Sequence, residues 1–447
     1  MKKNANPKSS TDKFSTKLGA VAAAAGSAVG LGNVWRFPYI VGEDGGAVFL
    51  ILYVIFTIAI SIPIMMTEFA IGRKSGLPVT SAYRSLAPHS KWGVIGVLGV
   101  LTAFLISSYY NIVSGWTLYY AVSSMGGWLS GLSEVAVADY FSSLSADPFR
   151  CIIWMMLMLG ATAAVVAQGV QGGIEKYSKI LMPLLFLLIV VMVVRALFLP
   201  NGLDGISFFL KPDFSKLTTK TVFDALGQSF FSMSIGMGTM TTYGSYLRKS
   251  ENIATTASHV AVVDFMVAFL SGAVIFPCVF AFGVNPSQGP GLVFVTLPNI
   301  FNQMPMGQLF ASFFFLLLVV AAITSSVSLL EVVVAYLKES FKYGRRKATL
   351  VASLLCLFFG ILCSLSQTIF SVFDNITANV LMPIGAFLIV LFAVHRLPKD
   401  EFRAEFEAHG VSFRLFNAFY FLVKYAVPIV ILIIFANGIL ALLGISY

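Results

Sequence analysis

Charge is what this chain has least of. Of its 447 residues only 11% are Asp, Glu, Lys or Arg, where soluble domains carry about 25%. So few solvating groups cannot cover a water-facing surface, which excludes a soluble globular domain. The four cysteines, Cys151, Cys278, Cys356 and Cys363, all fall in apolar stretches without metal-ligand spacing. That excludes a disulfide scaffold and a zinc module, and leaves buried free thiols. The four histidines, His89, His259, His395 and His409, are scattered. With no HExxH, no Ser-His-Asp set and no paired acids, an enzyme is not expected. Strand-period alternation of the outer-membrane-barrel kind is missing too.

Apolar residues are abundant, at 58%. They come in runs of about 20 or more, enough to cross a hydrocarbon core of ~30 Å. The chain reads as an all-α polytopic membrane protein with eleven spans, over 17–41, 47–72, 91–125, 151–168, 173–199, 222–247, 257–283, 306–340, 348–366, 369–394 and 414–444. Lys and Arg crowd the N-terminal tail and the loops after the even-numbered spans, so the N-terminus is expected in the cytoplasm. An odd span count puts the C-terminus outside, extracellular or periplasmic, in a multi-pass protein of the inner or plasma membrane. The same bias accounts for the net charge of +9 without nucleic acid. The basic tail leads into a full-length span, so no cleavable signal peptide is expected. The loop "NPSQGPGLVFVTLPNIFNQMP", residues 285–305, either folds back over the outer face or lies exposed.

Two spans are interrupted. Residues 26–39, "GSAVGLGNVWRFPY", and 228–243, "QSFFSMSIGMGTMTTY", put glycines and polar residues at mid-membrane depth. They fall at positions 1 and 6, which divides the chain into a tail (1–16), spans 1–5 (17–199), a loop (200–221), spans 6–10 (222–394), a loop (395–413) and span 11 (414–447). A break presents carbonyls at the end of one half-helix and N–H groups at the start of the next, suiting a cation and a carboxylate. Paired breaks in corresponding positions mark transporter binding sites, a rule drawn from transporters of the fold named below. Asp264, in the apolar run "HVAVVDFMVAFLSGAVIF", is a functional-site candidate by its depth alone.

The first motif, "YVIFTIAISIPIMMTEFAIGR", "SSYYNIVSGW", the span-6 segment and "AAITSSVSLLE" together resemble the neurotransmitter:sodium symporter family over nearly the whole chain. The resemblance implies the LeuT-type fold, a 5+5 inverted repeat with broken helices 1 and 6, and sodium-coupled uptake of an amino acid across the bilayer by alternating access. It implies two sodium ions. One would lie between spans 1 and 8, on Gly26, Val29, Ala321, Thr324 and Ser325; the two hydroxyls could instead bond back to carbonyls one turn earlier. The other would lie beside the substrate, on Ala28, Asn33, Ser232 and Asp264. The implied substrate pocket is Ser27, Ala28, Leu31, Gly32, Ile106, Tyr110, Phe231, Ser232, Ser234, Met237, Ser325 and Leu329.

Monoamine-carrying relatives have an aspartate where this chain has Gly30, which favours an α-amino acid here. Ile106, Phe231, Met237 and Leu329 favour a hydrophobic or aromatic side chain. Arg36 and Asp374 match the outer gate, with Gln228 beside Arg36, and Tyr246 and Glu339 match the inner one. Thr11 stands where the family's tail arginine is usual, ahead of Phe14, with Lys13 or Lys17 as substitutes. Glu68 would cap N–H groups at the breaks; Glu331 receives no role. The chloride pocket of animal members corresponds to Tyr53, Gln228, Ser232, Asp264 and Ala268. Asp264 supplies the fixed negative charge there, so no chloride is expected, and on the return step it could carry a proton back. A non-transporting amino-acid sensor of the same fold, or a symporter of another small zwitterion, are the alternatives.

Overall fold

The structure, a computed structural model, describes residues 13–283, 291–407 and 413–442. Thr11 and residues 285–290 of the long loop lie outside them. Among the described residues there is no strand. Nine helices there are long and apolar enough to cross a membrane, and the bent pair Lys17–Ala28 and Gly32–Glu43 makes ten. The bent pair is span 1. The nine are span 2 (Ala47–Ser75), span 3 (Lys91–Met125), span 4 (Pro148–Ala167), span 5 (Val170–Leu197), span 7 (Ile253–Ala281), span 8 (Gly307–Ser340), span 9 (Arg345–Leu365), span 10 (Gln367–Arg396) and span 11 (Phe416–Gly438). Span 6 is two short helices, Thr219–Ser232 and Thr239–Tyr246, each too short to cross alone. The architecture is all-α, with spans 1–5 and 6–10 as inverted repeats.

The two interruptions have local causes. In span 1 the first helix stops at Ala28 because Val29 is extended (φ −72°, ψ 110°), and the axis resumes bent by 51°. Asn33 stabilises the break by accepting the Gly30 N–H at 3.1 Å. In span 6, Ser234, Gly236 and Gly238 all have positive φ (51°, 79° and 76°). Three left-handed residues in five cannot continue a right-handed helix. Glu68, buried on span 2, receives the Gly236 N–H at 2.8 Å and the Thr241 N–H at 3.1 Å. Those donors would otherwise be unpaired in an apolar medium, at several kcal/mol each.

Span 8 runs the length of span 3 and packs most extensively against it. The second half of span 6 lies against span 2, and the fit there is tight: a Cβ on Gly72 would overlap the Thr241 carbonyl oxygen and stand 2.8 Å from the Ser245 nitrogen. The described part of the long loop folds back rather than lying exposed. Its helices, Leu292–Thr296 and Leu297–Gln303, bury Phe294, whose ring stacks on Phe141 with centroids 5.2 Å apart. All four cysteines are buried and free.

Gly72→Ala should lower stability by about 1–3 kcal/mol, the usual cost of overpacking. Gly160→Ala, where nothing lies within 4 Å of the added carbon, should be neutral or slightly stabilising. Thermal unfolding in detergent separates the two; equal midpoints would show that the span 2–span 6 contact yields without cost.

Candidate functional site

The breaks in spans 1 and 6 face each other around one cavity. It is lined by every residue of the expected substrate pocket except Leu31, and by Gly30 in addition. Leu31 stands on the vestibule side instead, but its N–H reaches inward and donates to the Tyr110 hydroxyl at 3.2 Å. The Ser234 hydroxyl donates to the Ser27 carbonyl at 2.9 Å and so bridges the two breaks. One part of the wall is backbone and hydroxyl; the other is Ile106, Phe231, Met237 and Leu329.

Asp264 lies beside this cavity, fully buried, and accepts hydrogen bonds from three side chains. Asn33 Nδ2 donates to it at 2.8 Å, Tyr53 at 2.8 Å, and the Ser232 hydroxyl at 2.8 and 2.9 Å to its two oxygens. Asn33, Ser232 and Asp264 thus meet at one point. Gln228 is engaged elsewhere, donating to the Gly32 carbonyl at 2.8 Å. Of the positions expected at the chloride pocket, Tyr53 and Ser232 bond to the carboxylate, and Ala268 is buried one turn further along span 7.

On the other side of span 1, Ser325 Oγ lies 3.5 Å from the Gly26 carbonyl oxygen and 3.2 Å from that of Val29. Thr324 Oγ1 lies 3.5 Å from the Val29 oxygen and 3.0 Å from that of Ala321. Oxygens about 2.4 Å from a central ion the size of Ca²⁺ or Na⁺ stand about 3.4 Å apart along an octahedral edge. The spacing and the five neutral oxygens therefore suit a hard monovalent cation. Thr324 also donates to the Val320 carbonyl at 3.2 Å, one turn earlier. Gly30 has no space for a side chain: a Cβ there would run into Ser325 Oγ and stand 3.0 Å from the Tyr110 hydroxyl.

Comparison with known proteins decides the family. The model of the sodium:neurotransmitter symporter family matches residues 11–135 and 145–447. The chain belongs to that family. An uncharacterized sodium-dependent transporter of Bacillus subtilis, YhdH, is 39% identical over 95% of this chain and 97% of its own. A second, from Haemophilus influenzae, is 34% identical over the same shares. The crystal structure of MhsT in complex with L-phenylalanine superposes with a TM-score of 0.89 at 38% identity, covering 96% of this chain and 99% of that one. The protein is therefore a sodium-dependent membrane transporter and not an enzyme.

The residues expected at the transporter's two gates are placed less simply. Arg36 and Asp374 line one vestibule, but no ion pair joins them among the described residues. The guanidinium instead lies over the Phe231 ring, 4.9 Å from its centroid. Phe231 lines both the vestibule and the inner cavity, so the arginine stacks on the partition between them. Gln228 is turned to Gly32 and not to Arg36.

At the tail end of the bundle Tyr246 and Glu339, the two residues expected at the inner gate, take different partners. The Tyr246 hydroxyl donates to Glu331 at 2.7 Å, and Glu339 instead accepts from Thr80 at 3.1 Å. Arg345, at the start of span 9, completes the cluster: it pairs with Glu331 at 2.5 Å and donates to the Val166 carbonyl at 2.8 Å. Glu331 is fully buried, so the Arg345 counter-charge and the Tyr246 donor together offset its loss of solvation. In the tail, the Lys13 ammonium donates to the Ser245 carbonyl at 2.7 Å. Burial, with Lys249 and Arg73 nearby, holds it below the usual lysine range. Lys17 is exposed. Phe14 is buried edge-on against Tyr243 and Tyr246.

Arg345→Met should cost about 3–5 kcal/mol, because it strands the Glu331 charge in the interior. Combining it with Glu331→Gln should recover most of that loss. Thermal unfolding of the three proteins checks this, and a single variant as stable as the parent would mean that the pair is not buried in the membrane.

Proposed function

We propose that the transporter couples inward sodium flow to uptake of hydrophobic or aromatic L-amino acids by alternating access, with its tail in the cytoplasm. The carrying observation is the cavity between the two breaks, backbone and hydroxyl on one side and Ile106, Phe231, Met237 and Leu329 on the other. In this reading the N–H groups of Leu31 and Gly32, with the Tyr110 hydroxyl, receive the substrate carboxylate. Carbonyls of Ala28, Phe231 and Ser232 receive its ammonium. Methionine adapts its shape, so several apolar side chains fit the rest. That the solved relative MhsT was captured with L-phenylalanine supports the same class.

Two sodium ions travel with the substrate. Gly26, Val29, Ala321, Thr324 and Ser325 hold one; Ala28, Asn33, Ser232 and Asp264 hold the other, completed by the substrate carboxylate, for which Gly30 leaves room. Spans 1, 2, 6 and 7 rock against spans 3–5 and 8–10, with the breaks as hinges. Arg36, Phe231 and Asp374 close the outer path, and Tyr246, Glu331 and Arg345 stabilise the closed inner one. Sodium favours the outward-open state, so its gradient drives accumulation. Chloride has no task, because Asp264 already sets one negative charge beside the sodium in a medium of low dielectric.

Competition binding in sodium should show leucine, tyrosine or tryptophan displacing one another; if all three fail and a monoamine binds, the substrate class is wrong. Thr324→Ala with Ser325→Ala should raise the half-saturating sodium concentration more than about tenfold, each lost charge-assisted contact being worth roughly 1.5–3 kcal/mol. Saturable sodium-dependent uptake into proteoliposomes distinguishes a symporter from a sensor.

Uptake by the parent protein should be equal in chloride and gluconate, and Asp264→Asn should abolish transport or make it respond to chloride. Clear chloride stimulation of the parent would overturn the assignment of Asp264.

A further inference from the structure

Glu175 is a buried carboxylate with no part in the cavity or the gates described above. It sits at the end of a wide helical turn, Val170–Glu175, that opens span 5 after Gly169, a left-handed residue (φ +95°). Its partners lie some 160 residues away in sequence, at the entry to span 1. It accepts the Ser15 N–H at 2.6 Å, the Ser15 hydroxyl at 2.5 Å and the Thr16 hydroxyl at 3.0 Å. Thr16 in turn caps the helix Lys17–Ala28 by accepting the Gly19 N–H at 3.0 Å. Gly19 must be glycine for this contact, since a Cβ there would fall on the Glu175 carboxylate. One turn earlier on span 5, Gln171 donates to the Lys13 carbonyl at 2.7 Å.

Span 5 therefore grips residues 13–16 from one side through two adjacent turns. From the other side, Arg248 donates to the Phe14 carbonyl at 2.8 Å, and Lys13 reaches Ser245. The gripped segment leads straight into the helix whose far end carries Gly26 and Ala28. Glu175 also keeps a cation of its own, Lys179 on the same span, at 2.6 Å. When the tail leaves, that pair stays together, so no bare charge is stranded and the contact can be remade.

We propose that Glu175 is the latch that holds the cytoplasmic end of span 1 shut against span 5, and that its release from Ser15 and Thr16 is a step of inward opening. It is a positioning residue: it touches neither substrate nor sodium, but fixes the helix that presents their ligands. The inference rests on the alternating-access reading above.

Its test is a pair of reporter thiols read by their rates of reaction in sodium. Ser245→Cys, buried beneath the tail, reports the cytoplasmic path; Val113→Cys, buried in the vestibule wall, reports the outer one. With Glu175 intact, sodium should slow the first and speed the second. Glu175→Gln should raise the Ser245→Cys rate in sodium at least tenfold while lowering that of Val113→Cys. General loosening would raise both rates, so opposite changes identify a shift between states. Ser15→Ala, which removes one donor and leaves Glu175 paired, should move both rates in the same directions by about threefold, and it carries the test should Glu175→Gln fail to fold. Rates that ignore sodium with Glu175 intact would sink the alternating-access reading itself. Rates that respond to sodium but not to either substitution, or that both rise, would sink the latch alone.

Discussion

A helix broken inside hydrocarbon must find partners for every N–H and carbonyl it frees, because no water is there to take them. The rest of the site follows from that constraint. Glu68 takes the donors released in span 6, Asn33 takes Gly30, Gln228 takes the Gly32 carbonyl, and Ser234 ties one break to the other. What remains is a small set of backbone groups facing one cavity. A transporter needs such groups where substrate arrives, and needs them satisfied everywhere else.

The long helices act as the fixed frame against which those groups are held. Spans 3 and 8 are uninterrupted over their whole length and lie along each other, and span 8 carries both Thr324 and Glu331. The same rod thus contributes to the oxygen ring at mid-depth and to the charged cluster near the tail. The division between whole and broken helices is a division of labour: rigidity where ligands must keep their spacing, pliancy where the path must open.

Most of this was legible in the sequence because its signals are chemical anomalies. Glycines, an asparagine and a carboxylate in apolar runs stand out whatever surrounds them. Pairings between elements were harder. Glu331 and Glu339 lie eight residues apart on one helix, hence about 12 Å apart along its axis and about 80° around it. Pattern alone cannot say which of them meets Tyr246; the arrival of Arg345 from the next span decides it. Arg36 was expected to need Asp374 because an isolated guanidinium in a membrane is costly, yet an aromatic face is a partner that charge counting overlooks. The grip of Glu175 on residues 15 and 16 is invisible for a simpler reason: each half looks like an ordinary helix terminus.

The crowding at Gly30 bears on how carriers of this kind could diversify. A side chain there collides with the hydroxyl of Ser325 and presses on Tyr110. A lineage moving from amino acids toward amines would therefore have to turn the Ser325 hydroxyl, a proposed ion ligand, aside as it gained a new acid. Cargo and fuel meet in a steric contact of a few atoms.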